Sequence, residues 1–123
     1  MTPGAPLIGI DLLEPERLRA RLEADDELRA ELFHAGELRY CEEQTAPYEH
    51  LAARFCAKEA VMKALGMDAW DPLDIEIVDG GERTRVRLHG EAARRAQALG
   101  VEVTVSLTHL PSVAGAVALA RTA

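Results

Sequence analysis

The sequence predicts an α+β fold, a mainly antiparallel sheet with a long central helix and shorter helices on one face. Three observations carry this reading. The first half of the chain spaces its leucines at near-helical intervals and leads into a run of strong helix formers from about Tyr48 to Leu65. From Asp74 onward the pattern changes, and apolar residues alternate with polar ones in short segments separated by turn signals. The whole is 123 residues with no internal repeat and no low-complexity linker, so it reads as a single domain over 1–123.

Taken in order, a short tail from Met1 to Pro6 precedes "LIGIDLL", Leu7 to Leu13, a near-continuous apolar run of strand length with one acid inside it, which reads as a buried strand. From Glu14 to Phe33, Leu18, Leu22, Leu28 and Leu32 recur with helical spacing, and Asp25 and Asp26 interrupt the run where they can cap a second short helix. "GELRYCEEQ" continues as helix until Pro47, and the long helix follows. Beyond the loop "GMDAWDPLD", the segments Asp74–Val78 and Arg83–Gly90 flank "DGGE", a strong turn, and form a hairpin. "EAARRAQALG" is a short helix ended by Gly100. "VEVTVSLTHL" and "SVAGAVALA" alternate on either side of Pro111 and form a second strand pair.

Bulk composition narrows the function. With 48% apolar residues but only 4% aromatics, the core must be built of Ala, Leu and Val, which suits close helix-on-sheet packing better than an aromatic-lined cavity. A net charge of -7 argues against general nucleic-acid affinity, which needs a basic surface. No stretch approaches the ~18 consecutive apolar residues of a membrane span, and the N-terminus lacks the basic start and apolar run of a signal peptide, so the protein is expected in the cytoplasm. Cys41 and Cys56 are isolated in helical segments and read as reduced, structural thiols. There is no GxxxxGK[ST] loop, no GxGxxG and no GxSxG, so the corresponding nucleotide and hydrolase sites lack support.

The long helix carries the most informative pattern, "RFCAKEAVMKALG" from Arg54 to Gly66. At about 100° per residue, Phe55 and Met62 share a stripe, with Arg54 and Lys58 on one flank and Glu59 and Lys63 on the other. The opposite face is Ala53, Ala57, Ala60 and Ala64, a back suited to close packing. Glu59 and Lys63 have the spacing of an ordinary surface ion pair. The alanine back favours the alternative, in which the charges turn toward a cleft or another subunit. One carboxylate with two or three cations is the composition expected where a divalent ion meets a polyphosphate.

Asp11 sits inside an apolar strand, where an ionised carboxylate needs a partner. It reads either as an edge-strand side chain facing solvent or as a metal-ligand or catalytic carboxylate. His109, at the end of "VTVSLTH", reads as a turn residue or, with Ser106 and Thr108 beside it, as a phosphate donor. His34, His50 and His89 have no partner at metal-binding spacing. Arg17, Arg19, Arg21 and Arg29 are either solvated surface or a local basic cluster for an acidic partner.

Together these segments resemble the holo-acyl-carrier-protein synthases, small 4'-phosphopantetheinyl transferases. "IGIDLLEPER" carries the family's Gly, Asp, Glu and Arg pattern as Asp11, Glu14 and Arg17; "RFCAKEAVMKALG" meets its central helix motif; "SLTHLPSVAGAVALA" fits its S-x-S-H strand and the small-residue strand after it, with Thr108 in place of the second serine and Leu110 following the histidine. The resemblance spans Leu7 to Ala120 and implies the 4'-phosphopantetheinyl transferase fold. It implies transfer of 4'-phosphopantetheine from coenzyme A to a serine of an apo acyl carrier protein, with Mg2+ as cofactor and adenosine 3',5'-bisphosphate released. By position, Asp11 and Glu59 are implied as magnesium ligands, Lys63 and Glu59 as catalytic groups, and Arg54, Lys58, Ser106 and His109 as coenzyme A contacts, with Arg54 and His109 near the 3'-phosphate. Arg17 and Arg21 are implied to meet the acidic helix of the carrier protein. The family implies a homotrimer with sites between subunits. Two other readings compete: a module that binds coenzyme A or a carrier protein without transfer, and a different magnesium-dependent enzyme of phosphoanhydrides, which would need acids this chain lacks.

Overall fold

The structure, a computed structural model, describes residues 7–78 and 83–123. The elements run β1 (Leu7–Leu13), α1 (Pro15–Ala24), α2 (Leu28–Leu32), α3 (Ala35–Glu42), α4 (Pro47–Ala64), a 3-10 turn (Pro72–Asp74), β2 (Ile75–Val78), β3 (Arg85–Leu88), α5 (Gly90–Leu99), β4 (Val101–His109) and β5 (Ala114–Thr122). The α+β class predicted from the pattern holds. The strands divide into two antiparallel sheets, β1-β5-β4 and β2-β3, instead of one. The expected tail, Met1 to Pro6, and the whole "DGGE" turn, 79–82, lie outside the described residues.

Helix α4 lies across the inner face of the larger sheet, and the packing explains its alanine back. Ala53, Ala57, Ala60 and Ala64 are all buried, as are Ala114, Ala116, Ala118 and Ala120 along the facing side of β5. Small residues on both surfaces let helix and sheet approach until backbone nearly touches backbone. At Gly9 in β1, a Cβ would lie 2.0 Å from the Ala60 carbonyl oxygen, so no side chain fits there. Leu18, Leu22, Phe33, Leu51, Val61, Leu65, Ile75 and Ile77 fill the remaining core around the helix. Gly100 ends α5 with a φ of 68°, the left-handed cap that a side chain resists.

The outer face of the same sheet is different. Ile8, Ile10 and Leu12 of β1 are 69%, 60% and 68% exposed, and Val117 of β5 is 38% exposed. The pairing sets Ile8 beside Leu119 and Ile10 beside Val117, so these side chains form one apolar patch. The run that the sequence presents as a buried strand is therefore buried on one side only: its other apolar face is left uncovered by the described residues.

Candidate active site

The two flanks of α4 separate the charged residues. On one, Lys63 in the last turn reaches across to β1, where its Nζ donates to Asp11 Oδ1 at 3.1 Å and to the Ile10 carbonyl at 3.0 Å. Asp11 points inward, toward the helix, from the edge strand β1. Glu59 stands one turn before Lys63, half-buried, and burial together with the Asp11 charge raises its carboxyl above the usual range, while Lys63 pulls the other way. The cation that sequence spacing paired with Glu59 is thus ion-paired with Asp11 instead. Strand pairing brings in an acid that lies 52 residues away in the chain.

The Asp11 and Glu59 carboxylates lie near enough for their charges to interact, with the Lys63 ammonium bonded to Asp11 and felt by both. Hard oxygen donors from two anions match the demand of a small divalent cation such as magnesium, which keeps most of its water and takes one or two protein carboxylates. A competing cluster does not fit that ion. His34, Glu76 and His89 have donor atoms within 4.8 Å of one another, but two imidazoles suit a softer metal, and one nitrogen of each ring is hydrogen-bonded: His34 Nε2 to the Leu73 carbonyl at 2.7 Å, His89 Nε2 to Glu76 Oε1 at 2.8 Å. These histidines, unpartnered in sequence, meet in space with ring centroids 5.2 Å apart, His34 tied to the 3-10 turn and His89 to β2.

On the other flank, Lys58 departs from the expectation that it faces a cleft. Its side chain is wholly enclosed, and its Nζ donates to Glu37 Oε1 at 2.9 Å and to the carbonyls of Pro72 and Ile75 at 2.9 and 2.6 Å. An ammonium has three N–H groups, and all three are used inside the fold. Burial lowers its pKa, with Glu37 opposing. Glu37 itself also accepts from the backbone N–H groups of His34 and Ile77. Sequence reading passed over Glu37 as one more helical acid; nothing local marks it, because its partners come from α4 and β2.

Arg54 is also buried, at 3% exposure, donating to the Ile77 carbonyl and lying 4.3 Å over the Tyr40 ring. It still reaches a surface: a cavity of about 190 Å³ is lined by Arg54, Tyr40, His50, Thr84, Leu107 and His109. His109, on the inner face at the end of β4, places Nδ1 2.9 Å from Glu49 Oε1 and packs its ring 4.4 Å from that of His50 at a tilt of 58°. Ser106 does not join them, since strand alternation turns it to the exposed outer face beside Val117. Arg17 and Arg21 are solvent-exposed on α1, and Arg17 makes a 3.8 Å contact with Glu14. Arg29 is held instead by the Leu22 carbonyl and the Tyr48 hydroxyl. Cys41 and Cys56 are free and buried, and burial pushes their thiols up to about 11 and about 12.

Comparison with known proteins points the same way as the motifs. Residues 7–118 match the model of the 4'-phosphopantetheinyl transferase superfamily. A holo-[acyl-carrier-protein] synthase of Moorella thermoacetica is 46% identical over 116 residues, covering 90% of each chain. One of Streptomyces avermitilis is 43% identical, covering 93% of this chain and 95% of its own. Among solved structures, an ACPS–CoA complex from Chronobacterium ammoniagenes superposes with a TM-score of 0.84 at 27% identity, over 97% of this chain and 98% of that one.

Proposed function

The chain belongs to the holo-[acyl-carrier-protein] synthases of the 4'-phosphopantetheinyl transferase superfamily, and from that premise we propose how its own residues divide the reaction. The serine hydroxyl of an apo acyl carrier protein attacks the β-phosphorus of coenzyme A. The bond to the bridging oxygen breaks, phosphopantetheine remains on the serine, and adenosine 3',5'-bisphosphate departs. The observation that carries this reading is the convergence of Asp11 from β1 with Glu59 and Lys63 from α4.

Asp11 and Glu59 would hold Mg2+, which supplies charge neutralisation at the pyrophosphate. Lys63 sits beside Asp11 with its ammonium half-exposed, placed to meet negative charge as the bridging oxygen leaves. Glu59, or a water that the metal would hold, is the candidate base for the serine. Arg54 and His109 would take the 3'-phosphate. Lys58 supports the fold of that region rather than touching coenzyme A, and Ser106 would act from the outer sheet face.

One chain cannot bring both halves to a single ligand. Arg54 and Lys63 are nine positions apart, which puts them about 180° apart around the helix. Their partners His109 and Asp11 lie on β4 and β1, with β5 between them. A homotrimer with sites between copies resolves this: the Asp11 half of one copy meets the Arg54 half of the next. The uncovered patch of Ile8, Ile10, Leu12 and Val117 supports the same arrangement, since a second copy is an occupant that would remove it from water. Arg17 and Arg21 on α1, chain-adjacent to β1, would meet the acidic helix of the carrier. No helix among the described residues is long and apolar enough to cross a membrane, in keeping with a cytoplasmic enzyme acting on a diffusing carrier.

The test is incubation with coenzyme A, Mg2+ and an apo carrier protein, read by intact mass. The carrier should gain one phosphopantetheine, and Asp11→Ala should abolish the gain in a folded protein. An unchanged carrier mass while coenzyme A still binds would overturn the assignment.

A further inference from the structure

The His109 end of the site contains a residue that no motif points to. Glu49 lies in the first turn of α4, and its Oε1 is 2.9 Å from His109 Nδ1, across 60 residues of sequence. A carboxylate only accepts, so the proton on Nδ1 is fixed and Nε2 is left as the ring's other contact. The His50 ring packs against it, centroids 4.4 Å apart and tilted by 58°, and His50 in turn makes a T-shaped contact with Tyr40 at 6.1 Å. All three rings and Arg54 line the one cavity.

We propose that Glu49 is a positioning residue that orients His109 and balances its charge so that Nε2–H can donate to a terminal phosphomonoester, giving the enzyme its preference for coenzyme A over the 3'-dephosphorylated form. This rests on the reading that His109 meets the 3'-phosphate. A neutral ring with its proton on Nδ1 would turn a lone pair toward the phosphate and repel it. Only the imidazolium donates from both nitrogens, to Glu49 on one side and to phosphate on the other. The other groups around the ring oppose that charge: Arg54 on α4 is a cation, and Tyr40, Thr84 and Leu107 offer no anion. Glu49 is the carboxylate in contact with the ring that offsets them. His50, the other imidazole of the pair, is held below its usual pKa, first by burial and then by the neighbouring His109 and Arg54.

The experiment compares kcat/KM for coenzyme A and for 3'-dephospho-coenzyme A in the full enzyme. A charge-assisted hydrogen bond is worth enough for Glu49→Ala to lower the preference for coenzyme A by about tenfold, acting through KM. Glu49→Gln, which keeps an acceptor for Nδ1–H but loses the charge, should fall between, and Glu49→Asp should recover part of the preference. The hydrogen-bonded Nδ1 proton of His109 should be visible by NMR in the unmodified protein and be lost in Glu49→Ala. If His109→Ala erases the preference and no Glu49 variant alters it, the positioning role is wrong. If His109→Ala leaves the preference intact, the 3'-phosphate reading fails and the inference with it.

Discussion

Lys58 and Lys63 lie five residues apart on the same helix, and the fold uses them in opposite ways. Lys58 is sealed, with all three N–H groups given to Glu37 and two carbonyls. Lys63 is 46% exposed at its side chain, and its neighbours are the anionic pair Asp11 and Glu59. A saturated cation has nothing left to offer a ligand, while a half-solvated one beside two carboxylates does. The difference comes from what lies across from each flank: the packed β2 and α3 on one side, the open edge strand β1 on the other.

The largest effect should come from breaking the closed flank. Lys58→Met leaves the Glu37 carboxylate buried without its cation, a loss of about 3–5 kcal/mol by urea unfolding. Adding Glu37→Gln should recover part of that loss, because the amide oxygen still accepts from backbone while the stranded charge is gone. A cost below about 1 kcal/mol for Lys58→Met alone would mean the pair is not the structural anchor its geometry describes.

The open flank should show the reverse. Lys63→Ala removes an exposed ammonium, so unfolding free energy should change by no more than about 0.5 kcal/mol, the range for surface sites. Transfer, in the proposed reaction, should fall about 10²–10³-fold in kcat, the loss typical of one electrostatic stabiliser. Equal losses of stability in Lys58 and Lys63 variants would erase the contrast.

The same contrast marks what was legible in the sequence. Local periodicity revealed the strands, the helices and the alanine back of α4, because close packing on a sheet leaves a record at helical spacing in Ala53, Ala57, Ala60 and Ala64. The wheel also separated Arg54 and Lys58 from Glu59 and Lys63. It could not say which flank stays open, since that depends on Glu37 and β2 arriving from elsewhere. It paired Lys63 with Glu59 because both lie on one helix, whereas the stronger partner, Asp11, is supplied by the sheet. Glu49 and His50 carried no signal, as their contact with His109 exists only once α4 is laid against β4.

The smallest effect sharpens the open flank by titration. Glu59 is raised by burial first and by the Asp11 carboxylate second. Its 13C carboxyl signal should therefore titrate above an ordinary glutamate in the metal-free protein. Asp11→Asn should move it down by removing the like charge, and Mg2+ should move it down further in the unmodified protein, because a bound cation favours the ionised form. The sign for stability follows from the same shift. The folded state holds this proton more tightly than the unfolded chain, so the contribution is present below the unfolded pKa and is lost as pH rises through the raised folded value. Glu59→Gln should flatten the unfolding free energy across that window. A Glu59 carboxyl that titrates normally and ignores Asp11→Asn would show that the two carboxylates do not share a site.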